Sequence, residues 1–132
     1  MDANIKTVRD CYDAFGRGDI PFILGWCADD IDWQGSDSTE IPYSGRYRGR
    51  AEATRFFEKI AASFDVTAFQ PKTFMASGNE VMTTGSWSCV AKSTGKSFTA
   101  AWAMRFVFDG NGKLSHFRSY DDTAIVTAAL RR

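Results

Sequence analysis

Apolar residues recur at helical spacing early in the chain and at a spacing of two over its second half. Over 4–15, Ile5, Val8, Tyr12 and Phe15 fall on one helical face, and Gly16 and Gly18 end the run. Asp19 is placed to cap a second helix, with Pro21 in its first turn and Phe22, Ile23, Trp26 and Cys27 as its buried stripe. DIDWQGS reads as a short strand. The turn-rich stretch SDSTEIPYSGRYRG separates it from a third helix over 50–64, whose Ala53, Phe56, Phe57, Ile60, Ala61 and Phe64 lie on one side.

Past Asp65 the spacing predicts four strands, over 66–75, 80–91, 96–108 and 113–121, divided by SGN, KSTG and DGNG, the last a strong hairpin signal. Pro71 has no N–H to give a ladder, which places the first of the four at a sheet edge or in a bulge. In the third, Phe98, Ala100, Trp102, Met104, Phe106 and Phe108 alternate with Thr99, Ala101, Ala103, Arg105 and Val107. Helices first and an antiparallel meander afterwards predict an α+β domain, with the helices on one face of the sheet. Small residues on the other face point to a second subunit covering it, hence a homodimer.

At 132 residues the chain fits one domain, 1–132. Sixteen basic residues balance sixteen acidic ones without a basic block, so no nucleic acid partner is expected. The charged N-terminus and the lack of a long apolar run point to a cytoplasmic protein that does not enter a membrane. Cys11, Cys27 and Cys89 are widely spaced, with one histidine to join them, and read as buried thiols rather than a metal site. No cofactor motif is present. Eleven Phe, four Trp and four Tyr can fill a core or line a cavity for a flat, apolar ligand.

Three stretches in order, YDAFGRGDIPFILGWCADDIDW, PYSGRYRGRAEATRFFEKI and TGKSFTAAWAMRFVFDGNGKLSHFRSYDDTA, resemble the SnoaL-like branch of the nuclear transport factor 2-like (NTF2-like) superfamily over 5–128. The resemblance implies a cone-shaped, cystatin-like α+β fold in which a curved, mostly antiparallel sheet wraps the N-terminal helices around a deep pocket. It also implies a dimer through the outer sheet face. Relatives include ketosteroid isomerases, limonene epoxide hydrolases and polyketide cyclases, and the fold alone does not choose among them. Where the isomerases carry their base and oxyanion-hole groups this chain has Gly35, Cys11 and Met104, so that catalytic set is not matched. The positions of the hydrolase set hold Ser119, Gly85 and Trp87, so that set is not matched either. Against the cyclases, Phe117 stands in the histidine position and an aspartate remains at Asp121 or Asp122.

HFRSYDD, with the chain's lone histidine, is not a His–Asp pair. His116 and Asp121 have opposite parity, and His116 and Asp122 lie roughly 20 Å apart in an extended strand. The resemblance turns Phe117, Ser119 and Asp121 toward the pocket, together with Gly85, Trp87 and Cys89, with Ala100, Trp102 and Met104, and with Trp33 and Gly35. The candidate substrate-binding residues are Trp33, Trp87, Trp102, Met104, Phe117 and Ser119, and the candidate acid–base residues are Asp121 and Asp122. A buried Asp121 without a cationic partner would have a raised pKa. Asp122 has the competing task of capping a helix over TAIVTAAL. Arg46, Arg48 and Arg50 form a cationic rim or a solvated loop. The expected partner is a small apolar or aromatic molecule, either turned over with one carboxylate or simply bound by a non-catalytic module.

Overall fold

The structure, a computed structural model, describes residues 2–132. Among them the chain forms helices α1 (Ala3–Gly16), α2 (Ile20–Trp26), α3 (Gly49–Ser63) and α4 (Thr123–Leu130), and strands β1 (Cys27–Gln34), β2 (Arg46–Arg48), β3 (Phe64–Ser77), β4 (Glu80–Ala91), β5 (Ser97–Phe108) and β6 (Leu114–Asp121). The strands make one curved, unclosed sheet in the order β2-β1-β6-β5-β4-β3. All neighbours are antiparallel except β1 and β6, which run parallel. This is the α+β architecture expected from the sequence.

Local chemistry sets the boundaries. The Asp2 carboxylate accepts the amides of Asn4 and Ile5 at 2.8 and 3.2 Å, and Asp19 accepts that of Phe22 at 3.2 Å. Such bonds satisfy donors that a helix start leaves free. Asp109 accepts the amides of Asn111 and Lys113, closing the β5–β6 hairpin, and Gly112 takes the positive φ of 75° that the turn needs. β3 is an edge strand, and its register shifts between Pro71 and Thr73. An edge and a bulge are two of the places where a strand tolerates a residue without an N–H.

Four details differ from the sequence reading. Phe64, placed at the end of the third helix by its spacing, opens β3 instead, where it pairs with Ala91. Cys27 opens β1 instead of ending α2, so the strand starts earlier than DIDWQGS; the thiol Sγ lies 3.5 Å from the Ile23 carbonyl, within the turn it leaves. The turn-rich stretch hides β2, whose three residues are held by pairing Arg46–Arg48 with Asp32–Gln34. Arg50 leaves the proposed rim as well. It sits in the first turn of α3 and, though exposed like Arg46 and Arg48, donates two bonds to the Cys27 carbonyl, at 3.1 and 2.8 Å.

The concave face of the sheet wraps α1 and α3, and the core lies between them: Val8, Cys11 and Ala14 of α1 and Ala53, Phe56, Phe57 and Ile60 of α3 are buried against alternate residues of β4, β5 and β6. On β5, Phe98, Ala100, Trp102, Phe106 and Phe108 are buried and Met104 is half-buried, whereas Thr99, Ala101 and Arg105 are exposed on the convex face. Gly85 on β4 has a packing role: a Cβ there would lie 2.4 Å from the Trp102 ring and 2.5 Å from the Gln70 carbonyl, so the indole lies directly over bare backbone. No helix among the described residues is long and apolar enough to cross a membrane.

Two segments close the wide end of the cone. Residues 35–45 form a compact loop with a pinched neck, where the Gly35 amide donates to the Gly45 carbonyl and the Gly45 amide to the Ser36 carbonyl, at 2.9 and 3.0 Å. Gly35 has no room for a side chain, because a Cβ would lie 2.3 Å from the Tyr43 carbonyl oxygen. The loop buries Ile41 and Tyr43 completely, which anchors an otherwise polar segment. α4 follows β6 across the same end. Thr94 donates to the Ala129 carbonyl, and Arg131 reaches back to Glu40 in the loop through two bonds at 2.9 and 2.6 Å.

Candidate functional site

Strand pairing brings the site together from distant parts of the sequence. β5–β6 register sets Asp121 opposite Trp102, Ser119 opposite Met104 and Phe117 opposite Phe106. β1–β6 register sets Trp33 beside Phe117, and their rings stack at 3.9 Å. β4 adds Trp87, and β3 adds Phe69, stacked on Trp102 at 5.0 Å. Side chains from these strands enclose an apolar cavity of about 70 Å³. Trp33, Trp87, Trp102, Met104, Phe117, Ser119 and Asp121, all singled out from the sequence, line it.

The aspartate alternatives separate cleanly. Asp121 points in, while Asp122 is exposed and outside the cavity, as strand parity requires of neighbours. Asp122 holds the N-cap position of α4 without a side-chain cap bond. His116 is exposed, and its nearest polar partner is the neighbouring Ser115 hydroxyl at 3.0 Å from Nδ1.

Asp121 is held by two donors. The Tyr43 hydroxyl donates to Oδ2 at 2.5 Å and the Ser119 hydroxyl donates to Oδ1 at 2.8 Å. Burial pushes the carboxyl above its ordinary value of 3.8, and the bonds from Tyr43 and Ser119 pull against that rise. Desolvation wins because no cation among the described residues faces the group, and two neutral donors only partly replace its hydration. Burial and the adjacent carboxylate raise the Tyr43 phenol too, so Tyr43 remains a proton donor throughout the neutral range. An ionised carboxylate can accept about four hydrogen bonds, and two are used here. Asp121 therefore keeps acceptor capacity for a proton brought by a ligand.

Tyr43 was not found from the sequence. The only trace of it is Ile41 and Tyr43 in a segment otherwise made of turn formers. Tyr12, Phe15, Phe56, Phe57, Ile60, Phe69 and Phe106 also line the cavity, although periodicity or alternation identifies most of them only as core. Deep inside, the Tyr12 hydroxyl meets the buried Thr83 hydroxyl at 2.7 Å and donates to the Met104 sulfur at 3.2 Å. Cys11, another wall residue, has its thiol pushed up to about 12 by burial and is inert as a nucleophile near neutrality. The indole nitrogens of Trp33, Trp87 and Trp102 are buried without a hydrogen-bond partner among the described residues. The cavity thus presents one ionisable carboxyl, Asp121, held from both oxygens by Tyr43 and Ser119.

A curved sheet wrapped on helices around such a cavity defines the NTF2-like class. The SnoaL-like domain family matches residues 8–117, and the chain belongs to it. An NTF2-like protein of unknown function from Burkholderia pseudomallei superposes with a TM-score of 0.91 at 27% identity, with 100% of both chains covered. A second, from Burkholderia thailandensis, gives 0.89 at 28%, again over 100% of both. TerC, crystallised with polyporic acid, gives 0.87 at 19% over 98% of each chain, a likeness of fold. No curated protein matches the sequence.

The raised carboxyl has a thermodynamic consequence. A native pKa above the unfolded value means the folded chain binds this proton more tightly, so Asp121 costs most stability when ionised and least when protonated. Its penalty falls as pH drops through the native pKa toward 3.8, below which the unfolded chain is protonated as well. Asparagine carries no such dependence. The Tm of the wild type minus that of D121N should therefore rise between about pH 7 and about pH 4, as read by thermal unfolding, and a difference that falls over this range would show a carboxylate stabilised in its charged form.

Proposed function

We propose that the cavity binds a small, largely apolar or aromatic molecule and that Asp121 exchanges a proton with it as general base or acid, in an isomerisation, cyclisation or hydrolysis step. The observation carrying this reading is one carboxylate with spare acceptor capacity inside an aromatic wall, fixed from both oxygens by Tyr43 and Ser119. A general base needs a raised but reachable pKa and a position within hydrogen-bond distance of its proton, and burial beside two neutral donors supports the first. The aromatic rings would hold a flat ligand against that carboxyl. A second reading takes support from the cavity's small volume: Asp121 as a latch for loop 35–45 in a binding or dimerisation module without turnover.

Calorimetry with p-cresol and toluene separates the two. They share ring and methyl group, but only p-cresol brings an O–H for Asp121. On the catalytic reading p-cresol binds saturably and at least about tenfold tighter than toluene, and D121N removes most of that preference, since a hydrogen bond to a charged group contributes about 1.5–3 kcal/mol. Absence of saturable binding by either compound would leave the latch.

The same reading includes a homodimer through the convex face. Thr84, Thr99 and Ala101 are exposed there, and small side chains give a flat surface able to meet a copy of itself. Light scattering at micromolar concentration should give twice the 14.7 kDa chain mass. A monomer mass would remove the dimer.

A further inference from the structure

The cavity is too small for the molecules it is proposed to bind. An apolar cavity of about 150 Å³ takes a benzene ring, and organic ligands usually occupy about 300–1,000 Å³. The space beside Asp121 is about 70 Å³. A ligand seated on the carboxyl must therefore displace wall side chains and extend beyond them.

One direction is open to it. A groove of about 590 Å³ runs outside the cone between the α1–α2 turn, the end of α3 and the start of β3. Phe15, Phe57, Ile60 and Phe69 line both spaces, so a single layer of side chains divides them. Phe15 stands at the centre of that layer, 5.0 Å from the Phe69 ring and 6.2 Å from Phe57. Both Phe15 and Phe69 are only half-buried, so packing does not lock either ring on every side. Beyond the layer the walls are Ile20, Ala61, Val66 and Ala68, and polar groups gather at the outer end. There Lys92 donates to the Ala61 carbonyl at 2.6 Å and faces Asp65 at 3.8 Å. A charged group there is already partnered, and between it and the Phe15–Phe69 layer the side chains are mainly apolar.

We propose that this groove is the outer half of the ligand site, and that the ligand is an elongated, mostly apolar molecule. Its proton-bearing ring lies at Asp121 and its chain or second ring passes the Phe15–Phe69 layer into the groove. The proposal rests on the reading of Asp121 given above. It adds a length requirement that the inner cavity alone would not impose.

A series of 4-alkylphenols, from p-cresol to 4-butylphenol, tests it by calorimetry. If the chain enters the groove, the wild type should gain about threefold or more in affinity for each methylene buried. Ala61→Phe and Val66→Glu change the groove walls at exposed positions that do not touch the inner cavity. In both, the ratio of butyl to methyl affinity should fall by about tenfold, against p-cresol on the same variant. No gain with chain length in the wild type, or a gain that survives in both variants, overturns the outer site while leaving p-cresol binding at Asp121 intact. Failure of p-cresol itself to bind overturns the reading of Asp121 and the outer site with it.

Discussion

The bond from the Tyr43 hydroxyl to Asp121 joins loop 35–45 to the end of β6 inside the core. Tyr43 belongs to loop 35–45, and Asp121 is the last residue of β6, from which α4 departs across the same opening. A cone made from one unclosed sheet has a wide end that must be covered, and polar loop segments cover apolar cavities poorly. Here a phenol solves that problem. Its ring packs edge-on against Phe56, Phe64 and Trp87, at 5.7, 6.0 and 6.0 Å, and its hydroxyl engages the carboxylate. The glycine neck at Gly35 and Gly45 lets the loop turn sharply enough to deliver it. The exposed Arg131–Glu40 pair fastens α4 to the same loop, but a solvated ion pair contributes little beside a buried aromatic anchor. The interaction that closes the cone therefore also holds its ionisable group in place.

Much of the fold is legible as periodicity. Alternation over 97–108 separates buried Phe98, Trp102 and Phe106 from exposed Thr99, Ala101 and Arg105, and Pro71 falls at an edge and a bulge. Asp109 and Gly112 mark the hairpin they form. β2 escapes because three residues are too few for a pattern, and Tyr47 between two arginines becomes strand only by pairing with Trp33. The end of α2 escapes for a related reason. Cys27 continues the helical stripe by spacing, yet it is drawn into the sheet by pairing with Leu114, and Arg50, far along the chain, binds its carbonyl. Both are decided by partners remote in sequence, which local spacing does not encode.

The site is legible to a lesser degree. Parity alone puts Asp121 and Asp122 on opposite sides, and with them Ser119 and Phe117 on one face. Which face is concave came from family resemblance rather than from the strand itself. Aromatic residues of α1 and α3 look the same in sequence whether they fill a core or border a cavity, and Phe56, Phe57 and Tyr12 do both. Tyr43 is the largest omission. A tyrosine after a proline in a loop carries no period, and its function comes from a contact 78 positions away.

The titration of Asp121 by carboxyl carbon NMR, in the wild type and in Tyr43→Phe, tests most directly whether this carboxyl is a desolvated group steadied by neutral donors. Removing a hydroxyl that donates to the ionised form should raise the pKa further. The wild-type midpoint is predicted above 3.8, and that of Tyr43→Phe higher still. A wild-type midpoint at or below 3.8, unmoved by the loss of the Tyr43 hydroxyl, would contradict both the desolvation of the carboxyl and the bond that closes the cone.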